Sequence, residues 1–195
     1  MTDALPFIAA VFALLATPGP TNTLMAAAGA QRGVARSLAL LAGELGGYFI
    51  AITLWIELVG AAAAGQPLVP VIAKIIAAAF LLWSAWKLWA NAGHADLAQR
   101  GISLGRVFAT TLVNPKALVF AFAIFPHLGF VERLPYLGVF AALVIGTAIG
   151  WMTLGMVAAR TSAGLLTSSR VERITAIALA VFATLLVVQT VHGLL

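Results

Sequence analysis

Long charge-free stretches constrain the fold of this chain more than any other feature. No charged residue occurs between positions 4 and 31 or between positions 134 and 159. A helix of roughly 20 apolar residues crosses about 30 Å of hydrocarbon, so each stretch is long enough to span a membrane. Only 9% of the residues are charged, whereas soluble domains contain about one quarter. The chain cannot cover itself with a charged surface, and we predict an integral membrane protein.

Apolar runs bounded by charge, glycine or proline predict six transmembrane helices. Their approximate ranges are 4–30, 37–60, 68–89, 107–128, 135–158 and 172–192. Signal peptides have basic residues before their apolar stretch, whereas this chain has Asp3 there and neither Lys nor Arg. We therefore expect the first span to be a retained transmembrane helix rather than a cleaved signal peptide. The connections are short, and no period-2 alternation indicates a β-barrel. The predicted fold class is an all-α polytopic membrane protein with a single domain, residues 1–195.

The distribution of positive charge predicts the orientation. Most cations lie in the first, third and fifth loops or the helix ends beside them, namely Arg32, Arg36, Lys87, Arg100, Arg106, Arg160, Arg170 and Arg173. The second and fourth loops and both chain ends contain only Arg133. Because cytoplasmic loops are enriched in Lys and Arg, we expect both termini outside. Topology accounts for the net charge of +5, so we expect no nucleic-acid partner.

Two proline motifs interrupt the apolar runs. The segment ATPGPTNTL, residues 16–24, lies inside span one, and Asn114, Pro115 and Lys116 lie inside span four. Proline removes a backbone donor and frees a carbonyl, and an unpaired backbone group in hydrocarbon costs several kcal/mol. The breaks should therefore face protein or a water-filled cavity. A kink that only helps packing is the alternative, but two breaks with polar neighbours favour a binding site.

Glu44 and Lys116 are the two deeply placed charges. At a rise of roughly 1.5 Å per residue, Glu44 lies about 12 Å beyond Arg36 and Lys116 about 15 Å beyond Arg106. Ionisable residues inside a membrane are functional candidates. Glu44 either pairs with Lys116, as a structural lock or within the site, or binds a cation or proton during transport. The predicted substrate-binding residues are Thr17, Pro18, Gly19, Pro20, Thr21, Asn22, Glu44, Asn114, Pro115 and Lys116.

Other polar and aromatic residues suggest interfacial roles. Glu57 and Lys74 flank the second loop, and we expect them at the outer interface as a pair. Trp83, Trp86 and Trp89 at the inner end of span three are typical of an aromatic belt.

The two halves of the chain resemble each other. Each contains a broken span, then a glycine-faced span, then a straight span, and the glycine faces are Gly43 with Gly47 and Gly146 with Gly150. Three spans is an odd number, so the second copy would enter the membrane in the opposite direction, as in many secondary transporters. Coincidence is the alternative, because GxxxG is frequent in membrane helices and serves either internal packing or a homodimer. The repeats would comprise residues 1–92 and 104–195.

Three segments together resemble the LysE/RhtB family of bacterial amino-acid exporters. They are TPGPTNTL at 17–24, GVARSL at 33–38 and LVNPKALVFAFAIFPHL at 112–128, and the resemblance extends over the whole chain in length, span number and motif order. It implies an inner-membrane exporter of amino acids or close derivatives, coupled to the proton-motive force. The matching site positions are Pro18, Gly19, Pro20, Asn22, Asn114, Pro115 and Lys116.

The chain departs from the family pattern at Thr21, where members often have Asn, and at His127, where they have Gln or another polar residue. The resemblance therefore leaves the substrate open. A channel, an intramembrane enzyme and a membrane assembly subunit are the alternative functions. The sequence contains no HExxH, GxSxG or P-loop motif, so we expect neither an enzyme nor a nucleotide cofactor. There is no cysteine, and His94 and Asp96 lack a third ligand, so we expect no metal site.

Overall fold

Helices are the only regular secondary structure among the described residues of this protein. The structure is a computed structural model and describes residues 4–64, 66, 68–90, 101–126, 128–161 and 168–193. The predictions for His94, Asp96 and His127 lie outside these ranges. Within them, the helices are α1 Ala4–Ala16, α2 Pro20–Ser37, α3 Leu40–Ala62, α4 Leu68–Ala90, α5 Leu104–Leu112, α6 Lys116–Val119, α7 Phe130–Thr161 and α8 Ser168–His192, and a π-helical turn, Phe120–Ile124, continues α6. The predicted all-helical class is confirmed.

Four of the described helices are long and apolar enough to cross a membrane separately, namely α3, α4, α7 and α8. Two further pairs reach this length only together. Helices α1 and α2 are bent by 64° at their junction, and α5 is bent by 52° relative to α6 with its π-helical turn. The described part of the chain therefore has four candidate spans, or up to six if each bent pair counts as one.

Both junctions between bent helices lie at proline motifs. Helix α1 ends at Ala16, and α2 begins at Pro20. Proline lacks a backbone N–H, but the N–H groups of the first helical turn have no acceptor within the helix, so Pro20 removes no helical hydrogen bond. Helix α5 ends at Leu112, and Pro115 immediately precedes α6. Farther along, α2 bends at Gly33, whose φ of +78° is a left-handed conformation that glycine adopts readily. The Ser37 hydroxyl donates a 2.8 Å hydrogen bond to the freed carbonyl of Gly33.

Helix α2 packs most closely on α7, because glycines bring the two backbones into contact. A Cβ atom on Gly29 would lie 1.9 Å from the Met152 carbonyl oxygen. A Cβ atom on Gly155 would lie 1.9 Å from the Ala26 carbonyl oxygen. Any side chain at either glycine would force the helices apart. Helix α4 packs on α8 and α3 on α5 in the other extensive helix contacts.

The GxxxG motifs of the two predicted glycine-faced spans have different surroundings. Gly43 and Gly47 face α5, where an added Cβ would approach the Leu104 carbonyl oxygen to 2.6 Å and would meet Thr111 at Gly47. Nothing lies within 4 Å of a Cβ built on Gly146 or Gly150 in the part of the chain that the structure describes. These two glycines line a groove of about 240 Å³ between α7 and α1. The first motif therefore serves internal packing, whereas the second faces open space.

An ion pair and a group of rings connect the helices at the predicted outer end. Arg133 of α7 donates to the carboxylate of Glu57 on α3, and its side chain is only 4% exposed. The expected pairing of Glu57 with Lys74 is therefore wrong, because tertiary packing brings α7 to Glu57. Edge-to-face ring contacts form what we call the aromatic cluster, which consists of Phe7, Tyr48, Phe120, Phe125, Tyr136 and Phe140.

We expect Gly155→Ala to lower the free energy of unfolding by about 1–3 kcal/mol, because the added methyl group has no space against α2. Gly138→Ala on the same helix is the matched control, since nothing lies within 4 Å of its Cβ position. This control should be neutral or slightly stabilising, because alanine favours helices over glycine. Thermal unfolding in detergent measures both. Equal midpoints for the two variants would contradict the close α2–α7 contact.

Candidate functional site

The two helix breaks meet inside the protein. Thr21 and Asn22 at the first break and Asn114 and Lys116 at the second are all at most 4% exposed. The amide nitrogen of Asn114 donates to the Thr21 hydroxyl at 3.1 Å, and that hydroxyl lies 3.1 Å from the Thr111 hydroxyl of α5. The structure thus brings together both predicted motifs, which are about 90 residues apart in sequence. We call this group of side chains the polar cluster.

Asn22 connects the two helices on either side of the first break. Its side-chain amide nitrogen donates to the carbonyl oxygens of Leu15 at 2.7 Å and Thr17 at 2.8 Å. Carbonyls in the last turn of a helix lack intrahelical partners. A residue at the start of α2 therefore caps the end of α1, which holds the two helices together across the break.

Lys116 connects the second break to the first. Its Nζ atom also donates to the Thr17 carbonyl oxygen. Gly19 leaves room for this contact, since a Cβ atom there would lie 3.2 Å from both Cε and Nζ of Lys116. The C-terminal end of a helix carries partial negative charge, so an ammonium group at the end of α1 is favourably placed.

Asn114 links the second break to α3. Its side-chain oxygen accepts a 3.0 Å hydrogen bond from the backbone N–H of Lys116, and its nitrogen lies 3.5 Å from the hydroxyl of Tyr48. Tyr48 lies one helical turn after Glu44 on α3. Helix α8 contributes as well, because the Thr175 hydroxyl donates to the Pro18 carbonyl oxygen at 2.7 Å. Sequence reasoning missed the contributions of Tyr48 and Thr175, which only the folded chain brings to the breaks.

Glu44 is a buried carboxylate with an unused acceptor. Its side chain is 1% exposed, and its Oε2 atom has no hydrogen-bond partner among the described residues. Glu44 and Lys116 are near enough to interact electrostatically, but no ion pair within 4 Å joins them. The interpretation of a direct pair is therefore wrong for this structure, because the ammonium group of Lys116 contacts Thr17 instead. The free Glu44 oxygen can accept a proton, a metal cation or an ammonium group.

A cavity of about 390 Å³ adjoins the two breaks. Pro20 and Pro115 form part of its wall, and both are direct neighbours in sequence of polar-cluster residues. The other lining residues are Phe80, Trp83, Ser84, Lys87, Leu88, Val113 and Glu172. The sequence pattern assigns Trp83 to an aromatic belt and does not predict that this residue lines the cavity. The spacing of Phe80, Trp83 or Ser84, and Lys87 along one face of α4 is the signal that could have revealed it.

These features define a polytopic helical membrane protein with a buried polar cluster where the junctions of two bent helix pairs meet. Within the described residues, no group of three metal-ligating side chains comes together. Residues 12–190 match the LysE type translocator family, and the chain belongs to this family. The resemblance inferred from the proline motifs is thereby confirmed. Members of the family are transporters rather than enzymes.

Among characterised proteins, the chain is similar to the cysteine/O-acetylserine efflux proteins of Salmonella choleraesuis (strain SC-B67), Salmonella typhi and Salmonella typhimurium (strain LT2). Each is 27% identical over 105 residues, which cover 53% of this chain and 54% of the relative. The match therefore spans about half the length of these curated relatives. No solved structure shows significant similarity to the chain.

Asn22→Ala should lower the free energy of unfolding by roughly 1–3 kcal/mol, because it removes the donor that two carbonyl oxygens at the end of α1 share. Gln31→Ala is the control, since Gln31 lies on the same helix and is exposed. Thermal unfolding in detergent again provides the measurement. If Asn22→Ala unfolds at the same temperature as the control, the cap does not hold α1 against α2.

Proposed function

We propose that this protein is a secondary transporter that exports an amino acid or a close derivative across the bacterial inner membrane, driven by the proton-motive force. The observation that carries the proposal is the unpartnered Glu44 carboxylate, buried near Lys116 where two broken helices meet. Membership of a translocator family and similarity to proteins named for cysteine and O-acetylserine efflux support the same conclusion.

The polar cluster offers complementary groups for both ends of an amino acid. The positive end of the α2 dipole and the ammonium group of Lys116 suit a carboxylate. The free oxygen of Glu44 suits an ammonium group. Thr21 and Asn114 add hydroxyl and amide groups at the same level. We therefore propose that the substrate is bound by the ten residues predicted from the sequence together with Tyr48 and Thr175. The ten are Thr17, Pro18, Gly19, Pro20, Thr21, Asn22, Glu44, Asn114, Pro115 and Lys116.

Proton coupling through Glu44 follows from the same geometry. Burial of an ionised carboxylate without a partner is energetically unfavourable. Binding of either a proton or the substrate ammonium group at Glu44 removes this unfavourable free energy. Competition between proton and substrate for one carboxylate couples their movements in opposite directions. Lys116 then serves to hold the first break and to bind the substrate carboxylate.

An inward-facing state agrees with the distribution of open and closed regions. The cavity of about 390 Å³ lies toward Lys87 and Glu172, at the predicted cytoplasmic end. The aromatic cluster and the pair of Arg133 with Glu57 close the opposite end. An exporter would receive its substrate from the cytoplasm in this state. In a six-span inverted repeat of residues 1–92 and 104–195, each half would adopt the conformation of the other. This exchange would produce the outward-facing state.

A homodimer stays a prediction, and the open glycine face of α7 supports a proposal for its interface. Gly43 and Gly47 contact α5, whereas the face of Gly146 and Gly150 is open in the described structure, and we propose this face for the contact with a second copy.

Replacing Glu44 with Gln should reduce amino-acid export to background, because the amide cannot exchange a proton. Export is measured as efflux of labelled amino acid from proteoliposomes with an imposed proton gradient. Glu132→Gln is the matched control, since it removes an exposed carboxylate from α7 and should retain wild-type export. Glu44→Gln protein that is stably folded and exports at the wild-type rate would refute the coupling role. Saturation and trans-stimulation distinguish the transporter from a channel.

The proposed orientation is testable with single cysteines, because the chain contains none of its own. Cysteine at Gln66, an exposed residue of the second loop, should react with a membrane-impermeant maleimide in intact spheroplasts. Cysteine at Gln31, exposed near the first loop, should react only after permeabilisation. Both termini lie outside under this orientation, and the reverse labelling pattern would contradict it.

A further inference from the structure

We infer that the cavity beside the two breaks is the side-chain subsite of the transporter, and that it takes an amino acid with a bulky, apolar and uncharged side chain. This inference rests on the proposed function and assigns it a substrate class. Trp83 is the residue to which we assign specificity.

The position of the cavity relates it to the polar cluster. Pro20 lies between Gly19 and Thr21, and Pro115 lies between Asn114 and Lys116, so the cavity wall and the polar cluster share the same short segments. An amino acid bound by its carboxylate and ammonium groups at the polar cluster is close enough to extend its side chain past the two prolines. The cavity is thus where a side chain would lie.

The chemistry of the cavity wall favours apolar side chains. Six of the nine lining residues are apolar, namely Phe80, Trp83, Leu88, Val113 and the two prolines. Trp83 is 49% exposed and Phe80 38%, so both present ring surface that no other described residue covers. A volume of about 390 Å³ lies within the usual range of small-molecule pockets. Burial of an apolar side chain against these rings would be driven by the hydrophobic effect.

The charges around the site argue against a charged side chain. The cavity contains one cation, Lys87, and one anion, Glu172. Lys116 of the polar cluster and its electrostatic neighbour Glu44 likewise supply one cation and one anion. Each region is balanced, and a zwitterionic amino acid adds no net charge. A basic or acidic side chain would place an additional charge against an apolar wall without a dedicated counterion, which is unfavourable.

Trp83 is held in place by its own helix. The Nζ atom of Lys87 lies 5.0 Å from the centroid of the Trp83 ring, in a cation–π contact one turn along α4. Trp86, three residues further, is 66% exposed and is not among the cavity residues. The same helix thus provides a tryptophan inside the proposed subsite and another outside it.

The first experiment measures the preference of the wild-type protein. Proteoliposomes are loaded with unlabelled leucine or phenylalanine, and counterflow of the labelled amino acid is measured with lysine, aspartate, cysteine or O-acetylserine as competitor. We expect leucine and phenylalanine to be bound at least about tenfold more tightly than each competitor. Preference for a charged or a small polar amino acid would overturn the inference while leaving the proposed function intact. Absence of counterflow with every amino acid would instead contradict the proposed function.

The second experiment assigns the preference to Trp83. Trp83→Ala should raise the KM for leucine or phenylalanine roughly tenfold, with a much smaller change in kcat, because it removes apolar contact area from the subsite. Trp83→Phe keeps a ring and should retain most of the affinity, and Trp86→Ala should match the wild type in KM and selectivity. An equal KM in Trp83→Ala and Trp86→Ala would overturn the assignment. Thermal unfolding in detergent confirms that the compared variants are folded.

Discussion

An interrupted helix in apolar surroundings leaves backbone groups without partners, and the centre of this protein is organised by the need to satisfy them. Asn22 caps the end of α1 from the next helix, and Lys116 reaches the same carbonyl from the second break. Asn114 performs the corresponding task for α6 and binds Thr21 in addition. Because Lys116 and Asn114 of the second break bind Thr17 and Thr21 of the first, the two motifs form one site.

Glu44 is the exception to this pattern of satisfied polar groups. Nearly every other polar side chain near the breaks has a partner in the described structure, whereas one Glu44 oxygen has none. A charge without a partner is unfavourable in a purely structural role, since packing alone would be served by an apolar residue of similar size. An unpaired acceptor near Lys116 is what the proposed exchange of proton and substrate at Glu44 requires.

Much of this was predictable because membrane insertion imposes strong local rules. Apolar length indicated the helices, and the prolines marked both junctions at which the bent helices separate. Burial of most predicted motif residues also follows locally, since freed carbonyls near Pro18 and Pro115 cannot face lipid, although Thr17, Pro18 and Pro20 are only half-buried. The pairing of Glu57 with Lys74 failed because proximity in sequence says little about neighbours in a bundle, where α7 brings Arg133 to Glu57. The two GxxxG motifs, identical in spacing, likewise differ in what they contact.

The sequence by itself determined the class of protein, the approximate helices, the positions of the breaks and the family, because these depend on apolar length, on proline chemistry and on short motifs. Only the tertiary structure decided that Lys116 contacts Thr17 rather than Glu44, and that α4 lines a cavity beside the breaks. Those contacts join residues far apart in the chain. They depend on which helix faces pack together, and neither hydropathy nor periodicity specifies that choice.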